Sequence, residues 1–221
     1  GNTNVTCGVH NGKKWVHTLR LPSTLNSLNQ FSTLKEFEIT KSAISSVVPN
    51  LTQVYIESIQ SLFQIDAHII SYQNSGVELL VETPKDVGVD RICNVIAAKE
   101  IVGTPAIVGD IGSATNYDVV DENGAFIGGA IAPGIEVAAH NLIEKAALLK
   151  ETAFTVPDIA VGITTASNLQ SGIMLGAIDV VDGMFHRIMD EMKWDDCNII
   201  VTGGFGGLIS PHLKTKHNYL P

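Results

Sequence analysis

The sequence predicts an α/β protein made of two similar halves, residues 1–100 and 101–221. Three observations predict it. Short apolar runs such as Ala106-Ile107-Val108 and Ile199-Ile200-Val201 read as buried strands, and they alternate with longer stretches of helical period. Asn11-Gly12 separates two strand-like stretches at 5–9 and 15–21, the strongest short-range hairpin signal. Each half also starts with a strand, a turn of Gly, Ser, Thr or Asn, and a second strand, before continuing in strands and helices.

In the first half, residues 24–38 are expected to be helical but polar. Residues 43–48 form a buried strand that ends at Pro49, and 50–63 an amphipathic helix. A strand follows at 68–71. Ile92, Val95 and Ile96 give residues 87–101 the apolar spacing of a helix, entered from the loop Thr83-Pro84-Lys85-Asp86. The second half opens with a strand at 105–110, then strands at 117–120 and 126–131 joined through Glu122-Asn123-Gly124. Pro133-Gly134 begins a helix expected to reach residue 149, and a second helix covers 165–192 with a break near Gly183. The last buried strand, 197–202, runs into Gly203-Gly204-Phe205-Gly206-Gly207.

Composition narrows the function. The 221 residues are 45% hydrophobic and 17% charged, as in a globular protein, and 14 Lys+Arg against 23 Asp+Glu leave a formal charge of −9. Such an acidic surface repels phosphate backbones, so nucleic acid is not an expected partner. Cys7, Cys93 and Cys197 are odd in number and form no C-x-x-C pair, which suggests reduced thiols and a cytoplasmic protein. The seven histidines lack zinc spacing. No apolar run approaches the roughly 20 residues of a membrane span, so no membrane is expected. The chain opens on Gly1 rather than Met and stops at Pro221, and it reads as a piece of a longer protein.

Neither G-x-x-x-x-G-K-[ST], G-x-G-x-x-G nor G-x-S-x-G is present. Gly1-Asn2-Thr3-Asn4 and Gly112-Ser113-Ala114-Thr115 instead stand at equivalent places in the two halves. Tight turns of this kind bare backbone N–H groups toward phosphate, although each alone also suits a plain hairpin. Asp110 ends an apolar strand beside the second turn, as an Asx turn or as a carboxylate that holds a charge-neutralising cation. Gly88-Val89-Asp90-Arg91 precedes a helix. Asp90 there is either an N-cap or the acceptor of a proton from an attacking hydroxyl, and Arg91 either a surface ion-pair partner or a fork for a substrate carboxylate.

Taken in order, these residues resemble the type III pantothenate kinases, members of the actin-like acetate and sugar kinase superfamily. The resemblance rests on Gly1-Asn2-Thr3-Asn4, Ile44-Ser45-Ser46-Val47-Val48-Pro49, Pro84 with Gly88-Val89-Asp90-Arg91 and Asn94, and Asp110-Ile111-Gly112-Ser113-Ala114-Thr115. It continues through Gly128-Gly129, Pro133-Gly134, Gly162 to Thr165, Ser171-Gly172 and Thr202-Gly203-Gly204. It implies two duplicated ribonuclease-H-like domains with mixed sheets flanked by helices. It also implies ATP-dependent phosphorylation of pantothenate, the first step of coenzyme A synthesis.

By the same resemblance, Gly1, Asn2, Thr3, Asn4, Val5, Thr6 and Ser113 bind ATP. Val81, Gly88, Val89, Asp90, Arg91 and Thr165 bind pantothenate, with Asp90 as the proton acceptor. Asp110 ligates potassium or ammonium, and Mg²⁺ accompanies the nucleotide. A homodimer is implied, Thr165 reaching the partner's pantothenate site. The chain departs from the family pattern in having Val81 where a tyrosine is usual, Asn116 where a threonine is common, and Ser113 for a threonine. A non-catalytic nucleotide- or pantothenate-binding accessory protein is the alternative.

Overall fold

Asn11-Gly12 closes a hairpin between β1 (Asn4–His10) and β2 (Trp15–Pro22), antiparallel with Cys7 opposite Leu19. The Asn11 side-chain oxygen accepts the amide protons of Lys13 and Lys14 at 3.1 and 3.0 Å. Gly12 takes a φ of 87°, a conformation that costs glycine little. The computed structural model describes residues 4–24, 28–145 and 153–221.

Of the helix expected over 24–38, residues 25–27 lie outside the described residues, Leu28–Phe31 form the short helix α1, and Ser32–Glu36 form a 3₁₀ turn. The hydroxyl-rich sequence accounts for the turn. The Thr33 hydroxyl donates to the Gln30 carbonyl at 2.7 Å, the kind of local bond that competes with helix propagation. Parallel strands β3 (Ser42–Ile44) and β4 (Ala67–Ile69) form a second two-stranded sheet, joined by α2 (Pro49–Phe63). Proline suits the first turn of α2, since its missing N–H has no helical partner there. Phe31, Leu34, Tyr55 and Ile59 make the core of this region, with the Phe31 and Tyr55 rings edge-to-face at 5.4 Å.

Helix α3 (Val89–Ile101) leads toward a five-stranded mixed sheet. Strands β5 (Ala106–Ile111), β6 (Ala114–Val120) and β7 (Phe126–Pro133) run as an antiparallel meander. Strand β8 (Asn198–Thr202) lies parallel to β5 on its other side, and β9 (Asn218–Tyr219) parallel to β8, giving the order β7-β6-β5-β8-β9. Helix α4 (Ile135–Lys145) follows β7, and residues 146–149 of the longer helix expected there lie outside the described residues. Helix α5 (Thr165–Met192) packs Met174, Ile178, Val181 and Phe185 against Ile107, Tyr117, Ile199 and Val201 of the sheet. The short α6 (Gly206–Ile209) follows the glycine cluster after β8.

The break expected near Gly183 does not occur. Gly183 faces open space, and its cost of about 1 kcal/mol relative to alanine is small beside the burial of α5's apolar side chains.

The chain divides into two compact units. One comprises residues up to Gly76 with Lys85–Cys93, the other Val77–Pro84 with Asn94–Pro221. The division falls within α3. Two hydrogen bonds account for part of this: Phe126 N–H donates to the Glu78 carbonyl at 2.8 Å, and Leu80 N–H to the Phe126 carbonyl at 2.9 Å. They draw the segment 77–84 onto the end of β7. Among the described residues, no helix is long and apolar enough to cross a membrane.

Candidate active site

In the first unit, Gly88-Val89-Asp90-Arg91 forms the entry to α3. Asp90 is not the N-cap but lies inside the first turn, exposed, where a carboxylate complements the positive end of the helix dipole. Its Oδ1 accepts the Arg91 amide proton at 2.9 Å. A β-carbon at Gly88 would stand 2.5 Å from that same oxygen, so a side chain there would displace the carboxylate. Asp90 lines a recess of about 1550 Å³ together with Asn4, Val5 and Thr6 of β1. The structure thus gathers the expected proton acceptor and the described part of the expected phosphate loop around one space. Gly1, Asn2 and Thr3 lie outside the described residues.

In the second unit, Asp110 and Ser113 flank the β5–β6 turn. Gly112 N–H donates to the Ala114 carbonyl at 2.9 Å, which closes the turn and leaves Ser113 exposed at its tip. Gly134 N–H donates to the Ser113 carbonyl at 3.2 Å. A β-carbon on Gly134 would fall 2.3 Å from the Gly112 oxygen, so α4 approaches the turn this closely only with glycine there. Asp110 is half-buried. Its Oδ1 lies where a β-carbon on Gly203 would come within 2.5 Å, and its Oδ2 lies 3.5 Å from the side-chain nitrogen of Asn94.

Two expected substrate residues stand elsewhere in this unit. Val81, half-buried, follows the strip that runs beside Phe126. Thr165 is the exposed first residue of α5, after the N-cap Thr164. The Thr164 hydroxyl accepts from Ser167 N–H at 3.1 Å while the Ser167 hydroxyl accepts from Thr164 N–H at 2.9 Å, a reciprocal capping box. The Ser171 hydroxyl donates to the Ala160 carbonyl at 2.6 Å, tying the preceding segment to the helix. Ile159, Val161 and Ile163 of that segment are 67%, 79% and 93% exposed.

A model of the type III pantothenate kinase family matches residues 1–187, a span that includes every expected site residue. The chain belongs to that family. Relatives named type III pantothenate kinase include those of Thermomicrobium roseum, 41% identical over 96% of this chain and 86% of its own length, and Agathobacter rectalis, 35% identical over 100% and 90%. Among solved structures, a Baf family protein from Campylobacter jejuni superimposes with a TM-score of 0.61 at 19% identity, over 99% of this chain and 87% of its own. The activator of 2-hydroxyisocaproyl-CoA dehydratase from Clostridium difficile, solved with bound ADPNP, gives 0.50 at 11% identity over 99% and 85%. At these identities the two structures speak for the fold alone. The fold is the actin-like α/β fold of mixed sheets flanked by helices.

In this pantothenate kinase family member, Asn94, Gly134 and Gly203 carry the family resemblance with no part expected at the Asp110–Ser113 turn, and Asp118 carries none of it; all four touch that turn or one another. Asp118 did leave a signal. It is a carboxylate between Tyr117 and Val119-Val120 in β6, and a charge in a buried strand demands a partner. The glycines gave no sign of these particular contacts, because a close approach between distant backbones is invisible in one dimension.

Proposed function

We propose that the protein transfers the γ-phosphoryl group of ATP to the hydroxyl of pantothenate, giving 4′-phosphopantothenate and ADP, in the first step of coenzyme A synthesis. The observation that carries this reading is the exposed Asp90 carboxylate lining the same recess as Asn4, Val5 and Thr6. In the proposed reaction, Asp90 accepts the hydroxyl proton as that oxygen attacks the γ-phosphorus and the bond to ADP breaks. An aspartate is a weak base, but the loose transition state of phosphoryl transfer needs alignment more than basicity. Arg91 offers a two-pronged donor to the pantothenate carboxylate, and Gly88 and Val89 shape the approach. Val81 presents an aliphatic surface to the substrate. Asn4, Val5, Thr6 and Ser113, with Gly1, Asn2 and Thr3, hold the nucleotide.

Mg²⁺ accompanies ATP, and Asp110 holds potassium or ammonium, which offsets phosphate charge. The residue present fits such an ion: the half-buried Asp110 carboxylate is a hard oxygen donor. The protein works in the cytoplasm as a homodimer, with Thr165 serving the partner's substrate site. Exposed Ile159, Val161 and Ile163, held next to Thr165 by the capped start of α5, supply the apolar surface for that contact.

The deciding experiment measures ADP release with ATP, Mg²⁺ and pantothenate, in potassium against sodium buffer. Pantothenate-dependent turnover is expected. Binding of nucleotide and pantothenate without turnover would leave an accessory protein and overturn the kinase reading.

A further inference from the structure

Asp118 is 0% exposed and lies on β6, two residues beyond Asn116, the register partner of Asp110. Directly paired residues of an antiparallel ladder share a face, as do residues two apart on one strand. Asp110 and Asp118 therefore point to the same side of the sheet. Asn94 reaches that side from α3. Its side-chain nitrogen lies 3.1 Å from Oδ2 of Asp118 and 3.5 Å from Oδ2 of Asp110. Both neighbours are carboxylate oxygens, so the NH₂ end of the amide is the end that can face them.

We propose that Asn94, anchored on Asp118, is the positioning residue that sets the orientation of the Asp110 carboxylate toward its cation. The inference rests on the cation role of Asp110 proposed above. The shorter bond to Asp118 fixes the amide, and the same NH₂ group then turns the Asp110 carboxylate so that Oδ2 faces inward. Oδ1 lies against the turn at Gly203, so closely that a β-carbon there would stand 2.5 Å from it. A neutral amide does this without taking the cation's place, whereas a lysine or arginine would supply a competing positive charge. Burial of Asp118 removes it from solvent, so its hydrogen bond to Asn94 is held more firmly than an exposed one would be.

The test compares wild type, Asn94→Leu and Asp118→Asn. Melting temperature is followed against potassium chloride, with matched sodium chloride as the reference, and steady-state kinetics run beside it. For wild type, potassium is expected to raise the melting temperature more than sodium does. Asn94→Leu removes the donor and is expected to raise the potassium concentration for half of that effect about tenfold, as loss of a ligand-orienting partner does. Its KM for pantothenate should change by less than about twofold, since no substrate contact is lost. A merely structural role would lower melting in both salts and leave the potassium midpoint unmoved, which would overturn the proposal. Should Asn94→Leu fail to fold, Asp118→Asn decides: it is nearly isosteric, and it too should weaken the potassium response. An unchanged midpoint in folded Asp118→Asn overturns the proposal. A wild-type protein that does not distinguish potassium from sodium removes the cation role itself, and the proposal with it.

Discussion

A β-carbon placed on Gly203 would stand 2.5 Å from Oδ1 of Asp110. Gly203 also has a φ of 92°, which side chains of L-residues rarely adopt. The turn after β8 thus carries glycine for two separate reasons, one steric and one conformational. Gly203→Ala is expected to destabilise the protein by about 1–3 kcal/mol, from backbone strain and the forced shift of Asp110. Urea unfolding measures the first effect. Loss of potassium-dependent turnover measures the second, and an alanine variant of wild-type stability and activity would show that the turn relaxes freely.

Asp90→Asn keeps the shape of the side chain and removes the proton acceptor. Turnover is expected to fall by about 10²–10⁴-fold, the usual contribution of a positioned general base, while nucleotide binding persists. Single-turnover phosphoryl transfer and calorimetric nucleotide titration separate the two. Undiminished turnover would remove Asp90 from the chemistry.

Asp182, on the buried face of α5, accepts from Lys214 N–H at 2.9 Å, Thr215 N–H at 3.0 Å and the Thr215 hydroxyl at 2.7 Å. Burial pushes its carboxyl up, but those three donors and nearby His186 together hold it below its ordinary value. A carboxyl depressed on folding contributes stability above its unfolded pKa of about 3.9, and that stability fades as pH falls through the lower folded value. Asp182→Asn is therefore expected to cost about 1–3 kcal/mol near neutral pH, with the gap from wild type closing in strong acid. Denaturation curves across acid pH test the sign, and a gap that widens with acidity would contradict it.

Burial, with Asp196 adding to it, pushes the Cys197 thiol up to about 11. At pH 8 its thiolate is then on the order of 0.1% populated, far below that of an ordinary cysteine. A thiol-directed reagent should label Cys197 at least about tenfold more slowly in the native protein than after denaturation. Peptide mapping after timed labelling resolves it from the other two cysteines.

The apolar trio ahead of α5 gives a test of assembly. Ile163 is 93% exposed, and Ile163→Asp adds a charge to that surface without touching the core. Light scattering is expected to report a dimer for wild type and a shift toward monomer for the variant. A dimer that persists unchanged would move the interface elsewhere.

Much of the fold was legible because local signals and global packing agree. Asn11-Gly12 marked the hairpin, the amphipathic spacing of residues 50–63 marked α2, and the unbroken apolar runs marked the central strands β5 and β8. The change from helix to a 3₁₀ turn at Ser32–Glu36 was not legible, since the Thr33 hydroxyl competes for a backbone bond. Nor was the continuity of α5 through Gly183, where packing outweighs one residue's propensity.

For the candidate site, the residue types and their order set which chemistry was available. They supplied a carboxylate before a helix, a carboxylate after a strand and small residues at tight turns, and those types in that order limit what the chain can do. The company each group keeps came from folding in three dimensions. Asn94 meets residues 16 and 24 positions away, and Gly203 meets Asp110 across the β5–β8 pairing. Such contacts depend on strand register and on the approach of a helix to a sheet, and neither is written in the local pattern of residues.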